Sequence, residues 1–178
     1  MATTNLPTLS QLISVEEYLK THYRPDVDFV DGEIEERNVG EFDHADVQMA
    51  IGVFLRAQQQ QWNIRVVPQV RVQISATRYR VPDICVIPGD WKREPIVRVP
   101  PLLCVEVLSP RDRLKRVHKR IQDFFDMGVL AVWILDPVTR TAYVCDREGM
   151  APHREGTLLV EGTSISVPLE AIFSTLDE

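Results

Sequence analysis

The chain has 178 residues, 44% of them hydrophobic and 26% charged, which suits one globular domain with its own core and leaves little room for a second. The formal net charge is −6, which argues against a strong constitutive grip on duplex DNA, because counterion release at clustered basic groups drives that binding. No apolar run approaches the ~20 residues of a membrane helix, and the N-terminus lacks the basic and apolar regions of a secretory signal, so the expected compartment is the cytoplasm.

In chain order, residues 1–13 are expected to form a loose N-terminal segment and residues 14–178 a single domain. Ser14 and Glu17 make a capping box that opens a short helix, VEEYLKTHY, which ends before Pro25. DVDFVDGEIEERN alternates apolar and polar residues about Asp31-Gly32, the pattern of a hairpin or a bulged strand. Asp43 is placed to cap a second helix, with Val47, Met49, Ala50, Val53, Phe54 and Leu55 near helical spacing and QQQQ closing it. Ile64 to Ile74 reads as one alternating strand, and Arg80 to Ile87 as another, opened by Pro82. Leu102 to Leu108 is a nearly continuous apolar run that suits a central strand covered on both faces.

Ser109-Pro110 is expected to start a third helix, with Leu114, Val117, Ile121, Phe124 and Phe125 on one stripe and Gly128 ending it. VLAVWILD is the next buried strand, and TAYVCD pairs with it as a hairpin. A last pair, LLVEG and SISVP, leads into a short C-terminal helix from Leu169. The predicted class is α/β: a mixed sheet with helices on both faces, in which Leu102 to Leu135 forms a parallel strand–helix–strand crossover. Cys85, Cys104 and Cys145 each fall inside a strand-like apolar run, with no CxxC spacing, and read as small buried hydrophobes. Trp133 reads as core, while Trp62 and Trp91 sit near loops.

The chemistry starts from Glu106, one carboxylate in an otherwise apolar strand. Such a group costs several kcal/mol unless it is paired, protonated or bound to a metal. Strand alternation puts Cys104, Glu106 and Leu108 on one face. A strand-end glutamate facing solvent or an arginine is the plain alternative. Asp83 follows Pro82 at the start of DICVI, where a simple turn aspartate is also common. Taken together the two carboxylates suit Mg²⁺ or Mn²⁺, which takes one or two carboxylates plus waters and phosphate oxygens. The helix RDRLKRVHKR then concentrates positive charge. Arg113, Arg116 and Arg120 form one stripe, and Lys115 and Lys119 a neighbouring one. They read either as a solvated face or as a nucleic-acid contact carried by Arg113, Lys115 and Arg116. Glu33 and His44 lie upstream. A histidine at a helix N-terminus is disfavoured as a cation, so His44 is expected to be neutral, as a surface residue, a base or a ligand. The four histidines, His22, His44, His118 and His153, match no zinc spacing.

VDGE, DHADVQ, YRVPDICVI, LLCVEVLSP and MGVLAVWILDP, in that order, resemble the Uma-two family of the PD-(D/E)XK nuclease superfamily, from about Val15 to Phe173. The resemblance implies a restriction-endonuclease-like core, DNA as the partner, a Mg²⁺ or Mn²⁺ cofactor and hydrolysis of phosphodiesters. It assigns the motif aspartate to Asp83, the E-x-K glutamate to Glu106, the N-terminal acidic residue to Glu33 and the helix-start histidine to His44. Metal would be held by Asp83 and Glu106, with Glu33 and the carbonyl of Val107. The pattern departs at Leu108, where the E-x-K lysine is expected. The family moves that lysine to the following helix, and its column falls on Arg120, with Lys119 beside it. Arginine stays charged and is a poor base. Two functions remain open: a metal-dependent endonuclease, or a catalytically weak nuclease-fold module that binds nucleic acid or forms a dimeric scaffold. A homodimer through edge strands near the C-terminus fits either. There is no G-x-S-x-G, P-loop or G-x-G-x-x-G.

Overall fold

The computed structural model describes residues 12–38 and 40–177. The expected loose N-terminal segment lies, up to residue 11, outside the described residues. Helix α1 (Val15–Lys20) starts as the capping box requires, with Ser14 Oγ accepting from the Glu17 N–H at 3.1 Å. It stops three residues short of the expected end.

Strands β1 (Val27–Val30) and β2 (Glu33–Glu36) form the expected hairpin. Asp31 and Gly32 fill its two-residue loop with φ of 52° and 95°, the doubly left-handed geometry that matches strand twist. Helix α2 (Phe42–Ala57) is capped at Glu41 without a side-chain bond, so Asp43 is not its cap but lies inside the first turn. Its buried stripe is Val47, Ile51 and Leu55, whereas Met49 and Val53 face outward. A short helix α3 (Gln59–Trp62) follows.

Two expected strands are each split between two sheets. Ile64 to Ile74 becomes β3 (Ile64–Pro68) and β4 (Val72–Ser75), broken where Pro68 meets a left-handed Gln69. Arg80 to Ile87 becomes β5 (Arg78–Arg80) and β6 (Ile84–Pro88). Here Pro82 lacks the N–H a continuous ladder needs. The chain changes sheet across Val81, Pro82 and Asp83.

The apolar run is strand β7 (Leu103–Val107), buried at every position. Ser109-Pro110 does not open a helix. Asp112 accepts the Ser109 N–H at 2.7 Å and closes a turn, so α4 begins later, as Leu114–Met127. Leu114 is accordingly exposed, while Val117, Ile121 and Phe124 are buried. Gly128 (φ 95°) ends the helix in the left-handed conformation. Strands β8 (Ala131–Asp136), β9 (Thr141–Cys145) and β10 (Met150–His153) follow, the last not expected from the sequence. Strands β11 (Thr157–Leu159) and β12 (Ser166–Pro168) and helix α5 (Glu170–Phe173) complete the chain, with a 3-10 turn after it.

The main sheet has the order β10-β9-β8-β7-β6-β3, and β7–β8 is its parallel pair, joined through α4. The fold is therefore the expected mixed sheet flanked by helices. Leu103, Val105 and Val107 pack towards α2 and α5, and Cys104 packs towards α4. A second sheet, β2-β1-β5-β4, packs around Tyr18 of α1 and Phe29. Trp133 is fully buried, as expected, and the three cysteines are buried and free. Among the described residues no helix is long and apolar enough to cross a membrane.

Candidate functional site

The site lies where the two sheets meet, at the crossing before β6 and the end of β7. Asp83 is 2% exposed and Glu106 6%. Both line one small recess of about 30 Å³, together with Arg37, His44, Val107, Ser109 and Arg120. This is room for one water-sized group. Asp83 accepts the Val107 N–H on Oδ2 at 2.8 Å, which ties the crossing to the central strand. Gln48 of α2 donates to the Asp83 carbonyl at 3.1 Å.

Arg37, just after β2, bridges the two carboxylates. Its Nη2 lies 2.5 Å from Asp83 Oδ1 and 3.6 Å from Glu106 Oε2. Arg120 of α4 donates to Glu106 Oε1 at 2.6 Å and to the Val81 carbonyl at 3.2 Å. It is thus Arg120, the expected column, that reaches Glu106. Lys119 instead pairs outward with Glu35 at 2.8 Å and is not brought to Glu106. Burial raises the pKa of Asp83, but Arg37, His44 and the Val107 N–H outweigh it and hold the group below the usual carboxylate range. Burial pushes Glu106 up to about 8, against the opposing pull of Arg120 and Arg37.

His44 sits in the first turn of α2, with Nε2 3.7 Å from Asp83 Oδ1 and Nδ1 3.3 Å from Ser109 Oγ. The helix start is expected to disfavour the charged ring, whereas the neighbouring Asp83 favours it. Burial favours the neutral ring, but Asp83 outweighs burial and raises the pKa. Gly40 allows this placement, since a Cβ there would come within 2.6 Å of His44 Cδ2. Glu33 is not brought to the recess. It is exposed at the start of β2, whereas Glu35, further along the same strand face, is partly buried against Arg80. Arg113, Lys115 and Arg116 are exposed at the start of α4, and Arg116 lines a small recess beside the site with Asp28 and Glu35.

Behind the carboxylates lies a network that the sequence reading missed. Arg80, fully buried, donates to Asp28 at 2.9 Å, Glu35 at 2.6 Å and Asp123 at 2.7 Å. Asp28 also accepts the Val81 N–H at 2.9 Å. Asp28 and Glu35 are register partners across the hairpin, a signal available from its two-residue loop. Arg37 offered no such signal, because it follows the strand in an irregular segment.

The residues present fit a hard divalent cation. One carboxylate oxygen from the crossing before β6 and one from β7 converge on a single positively charged nitrogen, in a space of water size. Among the described residues no cluster of three or more acidic, histidine or cysteine groups forms a metal cage. Two carboxylates suit a cation that keeps waters and takes substrate oxygens rather than a closed structural site.

The recess opens into a wider cleft of about 500 Å³ lined by His22, Tyr23, Arg24, Gln48 and Gln69. No curated protein matches the chain. A crystal structure of "a putative nuclease" from Anabaena variabilis is similar in fold, with a TM-score of 0.78 at 22% identity, covering 92% of this chain and 99% of that one. Residues 15–173 match the Uma-two family, described as "Putative restriction endonuclease", and the chain belongs to that family.

Proposed function

We propose that the protein is a divalent-metal-dependent endonuclease that hydrolyses phosphodiester bonds of DNA. The observation that carries this reading is the convergence of Asp83, just before β6, and Glu106 of the adjacent β7 at one recess flanked by Arg37, Arg120 and His44. Asp83 and Glu106, with Val107 beside them, would hold Mg²⁺ or Mn²⁺. The chemistry so supplied is polarisation of a phosphoryl oxygen and activation of water. The Val107 N–H fixes the orientation of Asp83, and Arg120 fixes that of Glu106. Arg120 keeps its proton and serves as a fixed charge against the developing negative charge on the phosphoryl group. His44 Nε2, when unprotonated, is the acceptor placed to take a proton from an attacking water. Arg113, Lys115 and Arg116 supply a basic rim for the nucleic-acid backbone.

One observation favours a second reading. Both nearby cations that reach the carboxylates are arginines, and Lys119 is turned away to Glu35. A site with no amine to exchange protons fits a slow or inactive nuclease fold that binds nucleic acid. The test is incubation of plasmid, linear and single-stranded DNA with Mg²⁺ or Mn²⁺, beside an Asp83→Asn/Glu106→Gln double variant. Metal-dependent cutting absent from the variant supports the nuclease. Equal inertness of both proteins with every substrate rejects it in favour of the binding module.

A further inference from the structure

Arg37 occupies the position at which the two carboxylates converge. A single nitrogen, Nη2, touches Asp83 and approaches Glu106, and the Arg37 side chain is 11% exposed. Its other terminal nitrogen, Nη1, is buried without a hydrogen-bond partner. Among the described residues the ion pairs of Arg37 run only to Asp83 and Glu106, so it has fewer anchors than Arg80. Arg80 has three carboxylate partners, whereas Arg37 has the same two that a metal would need. Arg37 also borders the wider cleft, which gives its side chain somewhere to go.

Resting on the metal site of the proposed function, we infer that Arg37 is an exchangeable internal cation. It occupies the meeting point of the two carboxyl groups in the metal-free protein and must leave before a divalent cation binds. Two positive groups sharing one water-sized recess exclude each other by charge and by volume. The guanidinium therefore competes with the metal and sets its affinity. Where a competent site is open only a fraction of the time, apparent affinity falls by that fraction. A seat filled by Arg37 about nine-tenths of the time weakens metal binding about tenfold.

The experiment is Mn²⁺ titration by calorimetry and by the free-ion paramagnetic signal, with no DNA present. Wild type is compared with Arg37→Gln, Arg37→Lys and Arg24→Gln. Arg24 lines the same cleft and is exposed, so its loss removes a nearby charge without emptying the seat. The expected result is Mn²⁺ binding about tenfold tighter in Arg37→Gln, a smaller gain in Arg37→Lys, and little change in Arg24→Gln. Arg37→Gln should also melt lower than wild type in EDTA and recover on adding Mn²⁺. Should Arg37→Gln fail to fold, Arg37→Lys against Arg24→Gln carries the comparison. Equal or weaker binding in the Arg37 variants overturns the inference, and so does an equal gain in Arg24→Gln. Both results leave the nuclease reading standing if wild type binds Mn²⁺. Tighter Mn²⁺ binding in Arg37→Gln, beside a wild type that cuts nothing in the DNA assay above, supports the inference and counts against the nuclease. Absence of Mn²⁺ binding in every protein overturns both.

Discussion

Both carboxylate oxygens of Asp83 are already engaged, one by the Val107 N–H and the other by Arg37 and His44. The group therefore has a structural task beside any catalytic one, and the choice of substitution matters. Asp83→Ala leaves a buried N–H and a buried guanidinium without their acceptor, and should cost about 3 kcal/mol of stability. Asp83→Asn keeps an acceptor for Val107 and should cost less, so it is the variant for activity assays. Urea unfolding with an unchanged m-value checks the ranking. Glu106 predicts a pH dependence. Its carboxyl is raised from an ordinary 4.5 to about 8 by burial. The folded chain thus holds a proton that the unfolded chain releases. The stabilisation it brings is complete below the unfolded value and is lost as pH rises through about 8. Glu106→Gln should flatten that part of the melting-temperature profile between pH 5 and pH 8. A parallel profile in the variant would reject the raised carboxyl. Gly40→Ala should push the His44 ring away from Asp83 and lower its pKa, readable from the pH titration of its ring proton signals. Asp83 and Glu106 were legible in the sequence because a charge in an apolar strand is costly and thus conspicuous. Arg37 was not, since an arginine after a strand looks like any surface cation until the fold closes over it.

At the level of elements, Arg80 fastens the second sheet to the rest of the molecule. It sits on β5 and reaches β1 through Asp28, β2 through Glu35 and α4 through Asp123. Burial alone would raise the Glu35 carboxyl, but hydrogen bonds from Lys119 and Arg80 hold it below its usual range. Glu35 therefore adds stability above its unfolded pKa, and that contribution disappears as pH falls through the lower folded value. Arg80→Ala strands three carboxylates and should cost about 3–5 kcal/mol near neutral pH, with the deficit shrinking in acid. Denaturant midpoints at pH 7 and pH 4 test both the size and the sign. The hairpin shows how such a network can be read in advance. A two-residue loop at Asp31-Gly32 fixes Val30 opposite Glu33 and Asp28 opposite Glu35. Glu33 and Glu35 share one strand face, but register sets Glu35, not Glu33, opposite Asp28. The split strands were harder. Alternation continues across Pro68 and Pro82, so periodicity alone reads through both breaks, and only the missing proline N–H marks the change of sheet.

For the whole molecule, the formal charge of −6 and a recess built on buried acids set the terms on which an anionic polymer could approach. On the proposed reading the cation is needed for binding as well as for chemistry. Without it, phosphate meets the acidic recess with cations already paired to Asp83 and Glu106. DNA affinity should therefore rise about tenfold or more when Ca²⁺, a hard cation held by the same oxygen ligands, replaces EDTA. The basic rim acts separately. Lys115 and Arg116 are exposed on α4 and, on the proposed reading, meet backbone phosphates, so their contribution is screened by salt and indifferent to sequence. Lys115→Gln/Arg116→Gln should weaken binding of every duplex alike and reduce the slope of log affinity against log salt by about 2. Fluorescence anisotropy with two unrelated duplexes and one single strand, across a salt series in Ca²⁺, measures both effects. An unchanged slope in the double variant would move the nucleic-acid path off α4, and the wider cleft bordered by His22 and Arg24 would become the surface to test.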